Sequence, residues 1–160
     1  MSIEKVRAYF ETCGIADRIQ EFSVSSATVE LAAQALGVEG ARIAKTLSFK
    51  LGERVLLIVC AGDAKVDNRR YKDRFGGKAT MLSHDEASTL VGHAVGGVCP
   101  FVVNPGVEIY LDESMKRFAT IYPAVGSSNS AIELNMEEME RYSGGTWVDV
   151  CKAWRGEDAE

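Results

Sequence analysis

Residues 45–62, KTLSFKLGERVLLIVCAG, carry the clearest signal in the chain. Leu47, Phe49 and Leu51 alternate with Thr46, Ser48 and Lys50, the period of two that a half-buried strand requires. Gly52-Glu53 is then a two-residue connection of the kind that closes a hairpin, and Val55 to Ala61 is almost unbroken apolar sequence. The expectation is an antiparallel pair: an edge-side strand against a buried one.

Upstream the period changes. In SIEKVRAYFETCGI (2–15), Ile3, Val6, Phe10 and Cys13 share one helical face while Glu4, Lys5 and Arg7 are solvated. A bridge, QEFSVSS (20–26), leads to ATVELAAQALGV (27–38), a second helix with Val29, Ala32, Ala33 and Leu36 on one side and Gly37 as its stop. Downstream come a basic helical piece, DNRRYKDRFGG (67–77), a short strand, KATML (78–82), and a helix, SHDEASTLVG (83–92), opened by a Ser83–Glu86 capping box and stopped at Gly92. After a glycine-rich loop, VEIYLD (107–112) and ATIYPAVG (119–126) read as strands flanking a helical ESMKRF (113–118). SAIELN (130–135) reads as one further strand, Asn135 and Glu138 cap MEEMERY (136–142), and TWVDVCKAW (146–154) closes the chain. This order lacks the steady alternation of a doubly wound parallel sheet, so the expected fold is α+β with a mixed sheet, a single domain over 1–155 with a frayed tail at 156–160.

The totals bound the function. The chain has 160 residues, long enough for a conventional core, with 46% hydrophobic and 26% charged residues, ordinary for a globular protein. A formal charge of -5 argues against a surface built throughout to hold polyphosphate, so no DNA partner is expected, although a local basic patch is compatible with it. The first residues lack the apolar core of a signal peptide and no run is long enough to span a membrane, which reads as a cytoplasmic protein with no membrane partner. Cys13, Cys60, Cys99 and Cys151 are far apart, form no CxxC pair and accompany only two histidines, so neither a zinc site nor a disulfide scaffold is expected, and no metal or cofactor.

Four stretches can carry chemistry. Gly96, Gly97 and Pro100 in GGVCPF allow main-chain amides to approach a ligand and stiffen the exit, and would serve equally as a tight connection into a buried strand. Lys45 lies in IAKTLSF at the head of the first strand, where its amine either reaches a pocket rim, to hold a phosphate, carboxylate or polarised carbonyl, or snorkels to solvent. Lys65, Arg69, Arg70, Lys72, Arg74 and Lys78 outnumber Asp67 and Asp73, and the i,i+3 and i,i+4 spacing of the arginines and Lys72 gives a positive helical patch or a solvated, ion-paired face. Cys99 and His93 suggest a thiolate and base, but in an apolar run Cys99 reads better as inert core, and His84 as a first-turn residue of a capped helix. Ser127, Ser128, Asn129 and Ser130 are a turn by composition.

Taken together, TVELAAQALGV, IAKTL, GGVCPF and AVGSSNSAIEL resemble, in order and spacing, the motifs of the YbaK/prolyl-tRNA synthetase-associated editing-domain family, over residues 22 to 142. The resemblance implies a compact α+β domain with a mixed, barrel-like sheet and trans-editing hydrolysis of the ester of a mischarged aminoacyl-tRNA carrying a small amino acid. It implies that Lys45, Gly96 and Gly97 act at the scissile ester, that Thr46, Val98, Cys99, Pro100, Gly126 and Asn129 bind substrate, and that positioned water or the terminal ribose hydroxyl replaces a catalytic triad. Lys65, Arg69, Arg70, Lys72 and Arg74 would then hold tRNA, and a synthetase is the further candidate partner. A non-catalytic tRNA-binding or regulatory module on the same fold is the alternative. Two positions depart from the family: Val102 follows Pro100-Phe101 where glycine is frequent, and SSNSA replaces the K-R-G-L-D of its cysteine-specific branch.

Overall fold

A computed structural model describes residues 2–93 and 97–154; Gly96 and the tail at 156–160 lie outside the described residues. The chain opens with helix α1 (Ser2–Cys13), whose Val6 and Phe10 are fully buried, then strand β1 (Gln20–Glu21) and helix α2 (Val29–Leu36), capped by the Thr28 hydroxyl. The hairpin follows as β2 (Ile43–Leu51) and β3 (Arg54–Ala61), paired antiparallel from Leu51↔Arg54 back to Ala44↔Ala61. Gly52, at φ +63, supplies the left-handed residue that lets a two-residue turn match the twist of its strands.

β4 (Lys65–Val66), α3 (Asn68–Phe75), β5 (Thr80–Met81) and α4 (His84–Leu90) make the long crossover to β6 (Glu108–Asp112). The capping boxes expected at Ser83/Glu86 and Asn135/Glu138 are both formed. The chain then runs through β7 (Thr120–Pro123), β8 (Ser130–Ala131), β9 (Leu134–Asn135), α5 (Met136–Ser143), β10 (Thr146–Val148) and β11 (Cys151–Lys152).

The main sheet has the order β10-β6-β3-β2-β7-β9, with β5 also on β2. Parallel β10/β6, β6/β3 and β2/β7 pairs combine with antiparallel β3/β2, β2/β5 and β7/β9 pairs, so the sheet is mixed, as the sequence predicts. The main core collects Phe49, Leu56, Ile58 and Cys60 from the hairpin with Val6 and Phe10 of α1, Tyr71 and Phe75 of α3, and Phe101. A smaller cluster sets Leu57 against Leu82, Ala87 and Val91 of the α4 region.

Several expectations need correction, each because a very short strand leaves no periodicity to read. β2 is interior rather than edge-side, because β7 pairs with Ile43 and Ala44 and β5 with Phe49 and Lys50 on the side away from β3. The bridge 20–26 contains β1, which pairs with β8. SAIELN is two strands in different sheets, parted at buried Ile132, whose N–H donates to the Pro123 carbonyl. The closing segment splits into β10 on β6 and β11 on β4. The helical reading of ESMKRF holds, as a 3-10 helix over Glu113–Arg117.

Candidate active site

The two partial partners of β2 leave a gap. On one side of the gap Ala44 pairs with Pro123 of β7; on the other, Leu82 N–H donates to Ser48 O at 3.0 Å. Residues 45–47 have no strand partner on that edge among the described residues. A cleft of about 450 Å³ opens there, lined by six successive residues of β2, Ile43 to Ser48. Side chains of a strand point alternately to opposite faces, so six consecutive residues on one cavity mean that the ligand space meets the strand edge-on. Thr28 and Val29 of the α2 entrance, Leu82 and Ala87, Val98, Tyr122, Ala124 and Ala131 complete most of a largely apolar wall.

Lys45 borders the cleft half-buried, its Nζ donating to Gly62 O at 3.3 Å. One donor is thereby fixed and two are left for a ligand. Thr46 also lines the cleft, and so does Val98 of the glycine–proline loop, so Lys45 and that loop, some fifty positions apart in sequence, border the same cavity. Gly97 lies just behind: a Cβ there would stand 2.7 Å from Gly126 C and from Ser127 N and 2.8 Å from Gly126 O. The two glycine-led loops thus pack main chain to main chain, which only glycine at 97 permits.

The other residues singled out in the sequence are set around this centre. Gly126 is buried against Gly97, whereas the Asn129 side chain donates to Phe22 O at 3.0 Å and accepts from the Ser127 hydroxyl, tying the turn to the segment after β1. Ser130, next to it, lines the cleft. Pro100 and Cys99 are buried and do not line it. Cys99 is 0% exposed and burial pushes its thiol up to about 12. His93 Nε2 sits 3.6 Å from that sulfur but 2.8 Å from Phe101 O, so this nitrogen carries its proton toward the carbonyl and has no lone pair for the thiol. Burial also lowers the His93 pKa. The pair does not form an activated nucleophile.

Sequence reasoning missed His84 and the strap Ser26–Thr28, all of which line the cleft. His84 was legible only as a helix first turn, because what brings it to the cleft is the two-residue strand β5 that precedes it. Among the described residues no cluster of three or more histidine, cysteine or acidic side chains is placed to hold a metal ion, and no helix is long and apolar enough to cross a membrane.

The basic residues lie outside the cleft. Tyr71 and Phe75 anchor α3 to the core, with Tyr71 on Phe49 at 5.3 Å between ring centroids, which turns Arg69, Lys72 and Arg74 to solvent. Arg70 pairs with Asp149 at 3.1 Å, and Arg74 lies over the rings of Phe75 and Tyr110. Lys65 is exposed on β4. Phe49, under α3, follows Ser48 of the cleft along β2, so the two side chains point to opposite faces of the strand.

The model of the aminoacyl-tRNA editing domain family matches residues 24–142. An uncharacterized protein of Bacillus subtilis (strain 168), YwhH, is 51% identical over 156 residues, covering 96% of this chain and 99% of its own length. The proline–tRNA ligase of Bacillus cereus (strain AH820) is 30% identical over 81 residues, which is 50% of this chain and 14% of the ligase. Among solved structures, a proposed trans-editing enzyme for prolyl tRNA synthetase matches with a TM-score of 0.84 at 27% identity, over 93% of this chain and 96% of the other. The hypothetical protein APE2540 matches with a TM-score of 0.79 at 25% identity, over 90% and 99% of the two chains.

Proposed function

Because this chain belongs to the aminoacyl-tRNA editing domain family, we propose that it hydrolyses in trans the ester of a tRNA mischarged with a small amino acid. The observation that carries this reading is the convergence of Lys45 and the glycine–proline loop on one cleft. The ester is already activated, so the protein has to position it, supply hydrogen-bond donors where negative charge develops, and admit water. Water adds to the carbonyl carbon, the ester C–O bond breaks, and one proton of that water ends on the released ribose oxygen, giving free amino acid and intact tRNA.

The loop led by Gly96 and Gly97 is the source of main-chain donors for the developing oxyanion, each worth roughly 100- to 1,000-fold in rate. Lys45, which lines the same cleft, contributes its remaining donors. Ala44, Ala87, Ala124 and Ala131 leave room for a small side chain beside the terminal ribose. A methylene more or less is worth only about 1–3 kcal/mol in such a site, so neighbouring small amino acids cross-react. The exposed face of α3 with Lys65 takes the tRNA backbone, a synthetase is the natural donor of the substrate, and the work belongs in the cytoplasm. The test is a panel of tRNAs carrying alanine, cysteine, serine and proline, correctly charged and mischarged. Rapid loss of one small-amino-acid ester supports the proposal and names its substrate, whereas salt-sensitive tRNA binding with hydrolysis at the buffer rate for all of them would replace it by a binding module.

A further inference from the structure

We infer that the main chain of Thr46 reads the α-aminoacyl group itself, its C=O accepting from the substrate's α-ammonium and its N–H donating to the acyl carbonyl; this rests on the editing function above. The two-residue turn at Gly52-Glu53 makes Leu51 and Arg54 the hydrogen-bonded closing pair of the hairpin. Alternation then aims the N–H and C=O of residues 51, 49, 47 and 45 at β3, and those of residues 50, 48, 46 and 44 at the opposite edge. The bond from Leu82 N–H to Ser48 O gives the same answer independently.

On that edge Lys50 pairs with Thr80, Ser48 is met by Leu82 and Ala44 pairs with Pro123. Thr46 falls between them, and among the described residues no strand or hydrogen bond reaches its main chain from the cleft side. The sheet therefore holds one donor and one acceptor rigidly at the back of a cleft whose walls include Ile43, Leu82, Ala87, Val98 and Ala124. A few fixed polar groups in an apolar cavity set ligand class.

An α-aminoacyl group carries a nitrogen donor and a carbonyl on one carbon. That is the same donor and acceptor set that a residue exchanges across an antiparallel bridge, with Cα atoms about 5.5 Å apart. From Ala44 to Ser48 the strand runs about 13 Å, and both ends are taken, so one residue-sized group completes the sheet. Its side chain then stands perpendicular to the sheet. The main chain of Thr46 thus reads the aminoacyl class, and the cleft walls read side-chain size.

The test uses nitrogen-15-labelled protein and two probes: adenosine carrying alanine through a non-hydrolysable 3′ amide, and its propionyl counterpart without the α-amino group. Hydrolysis of alanyl-tRNA is measured on the same preparation. The Thr46 amide should exchange quickly with heavy water in the free protein while those of Lys45 and Leu47 are protected. The alanyl probe should shift and protect the Thr46 amide, and the propionyl probe should bind about 10- to 100-fold more weakly. A Thr46 amide already protected in the free protein, one that no probe concentration moves, or equal affinity for the two probes overturns the inference, whether or not hydrolysis occurs. A shifted Thr46 amide and the expected preference, with no hydrolysis, supports the recognition and sinks the editing function instead.

Discussion

Gly97→Ala adds a methyl group where there is no space for one. Its carbon would lie 2.7 Å from Gly126 C and Ser127 N, about 0.7 Å short of an ordinary 3.4 Å contact, and the neighbours are main-chain atoms that no rotamer can move. The two loops must part by that amount or twist. Overpacking of this kind costs about 1–3 kcal/mol, roughly 2–12 °C in melting temperature for a domain of this size. The larger effect falls on chemistry, because donors displaced by up to about 1 Å lose on the order of 100-fold in rate. The assay is single-turnover release of amino acid from tRNA, run beside thermal melts of the same samples. Gly77→Ala is the control, since its added carbon meets only the side chain of Leu51, which can rotate away. A Gly97→Ala protein that melts with the wild type and hydrolyses within twofold of it refutes the loop-to-loop argument.

Val102 adopts φ +52, a backbone region that a β-branched residue avoids, and it is 37% exposed; Val102→Gly should gain about 1 kcal/mol, read as a rise of roughly 2–4 °C in melting temperature. Arg54 and the Tyr110 hydroxyl hold the Glu108 carboxyl down at about 2. A depressed carboxyl stabilises above its unfolded value and loses that contribution as pH falls toward its folded one. Glu108→Gln should therefore cost up to about 1 kcal/mol at pH 7 in urea melts, with the gap closing as pH falls from about 4.5 toward 2; a pH-independent gap would contradict this. Cys60, Cys99 and Cys151 are each 0% exposed, so mass spectrometry after alkylation of the folded protein should find Cys13 alone modified. Arg69→Ala and Lys72→Ala should weaken tRNA binding for all sequences alike and flatten its dependence on salt, by about one unit of log–log slope for each phosphate no longer neutralised.

The hairpin, the helix caps and the mixed sheet were legible because each rests on local rules: period two in 47–51, Gly52 at the turn, and Ser83 with Glu86 or Asn135 with Glu138 at helix starts. The unpaired edge of β2 was not, because it depends on where two-residue strands from distant parts of the chain begin and end. The polar residues Thr46 and Ser48 look like the solvent face of an edge strand, and the same alternation arises when that edge faces a cleft. His84 was hidden for the same reason. Val102 was visible as a departure from the family's glycine, and its left-handed backbone shows why glycine suits that position. Asn129, read as a substrate contact through the family's motif, has both side-chain bonds within its own turn and to Phe22, a long-range contact that no local pattern announces.

The central claim is that the cleft beside Lys45 cleaves an aminoacyl ester, and the measurement that tests it most directly is single-turnover release of labelled amino acid from alanyl-, seryl- and cysteinyl-tRNA by the wild type and by Lys45→Ala, both shown by melting to be folded. The account predicts release well above the buffer rate for at least one ester with the wild type and a loss on the order of 100-fold or more with Lys45→Ala. Equal release by the two proteins, or release at the buffer rate by the wild type for every ester, would contradict it.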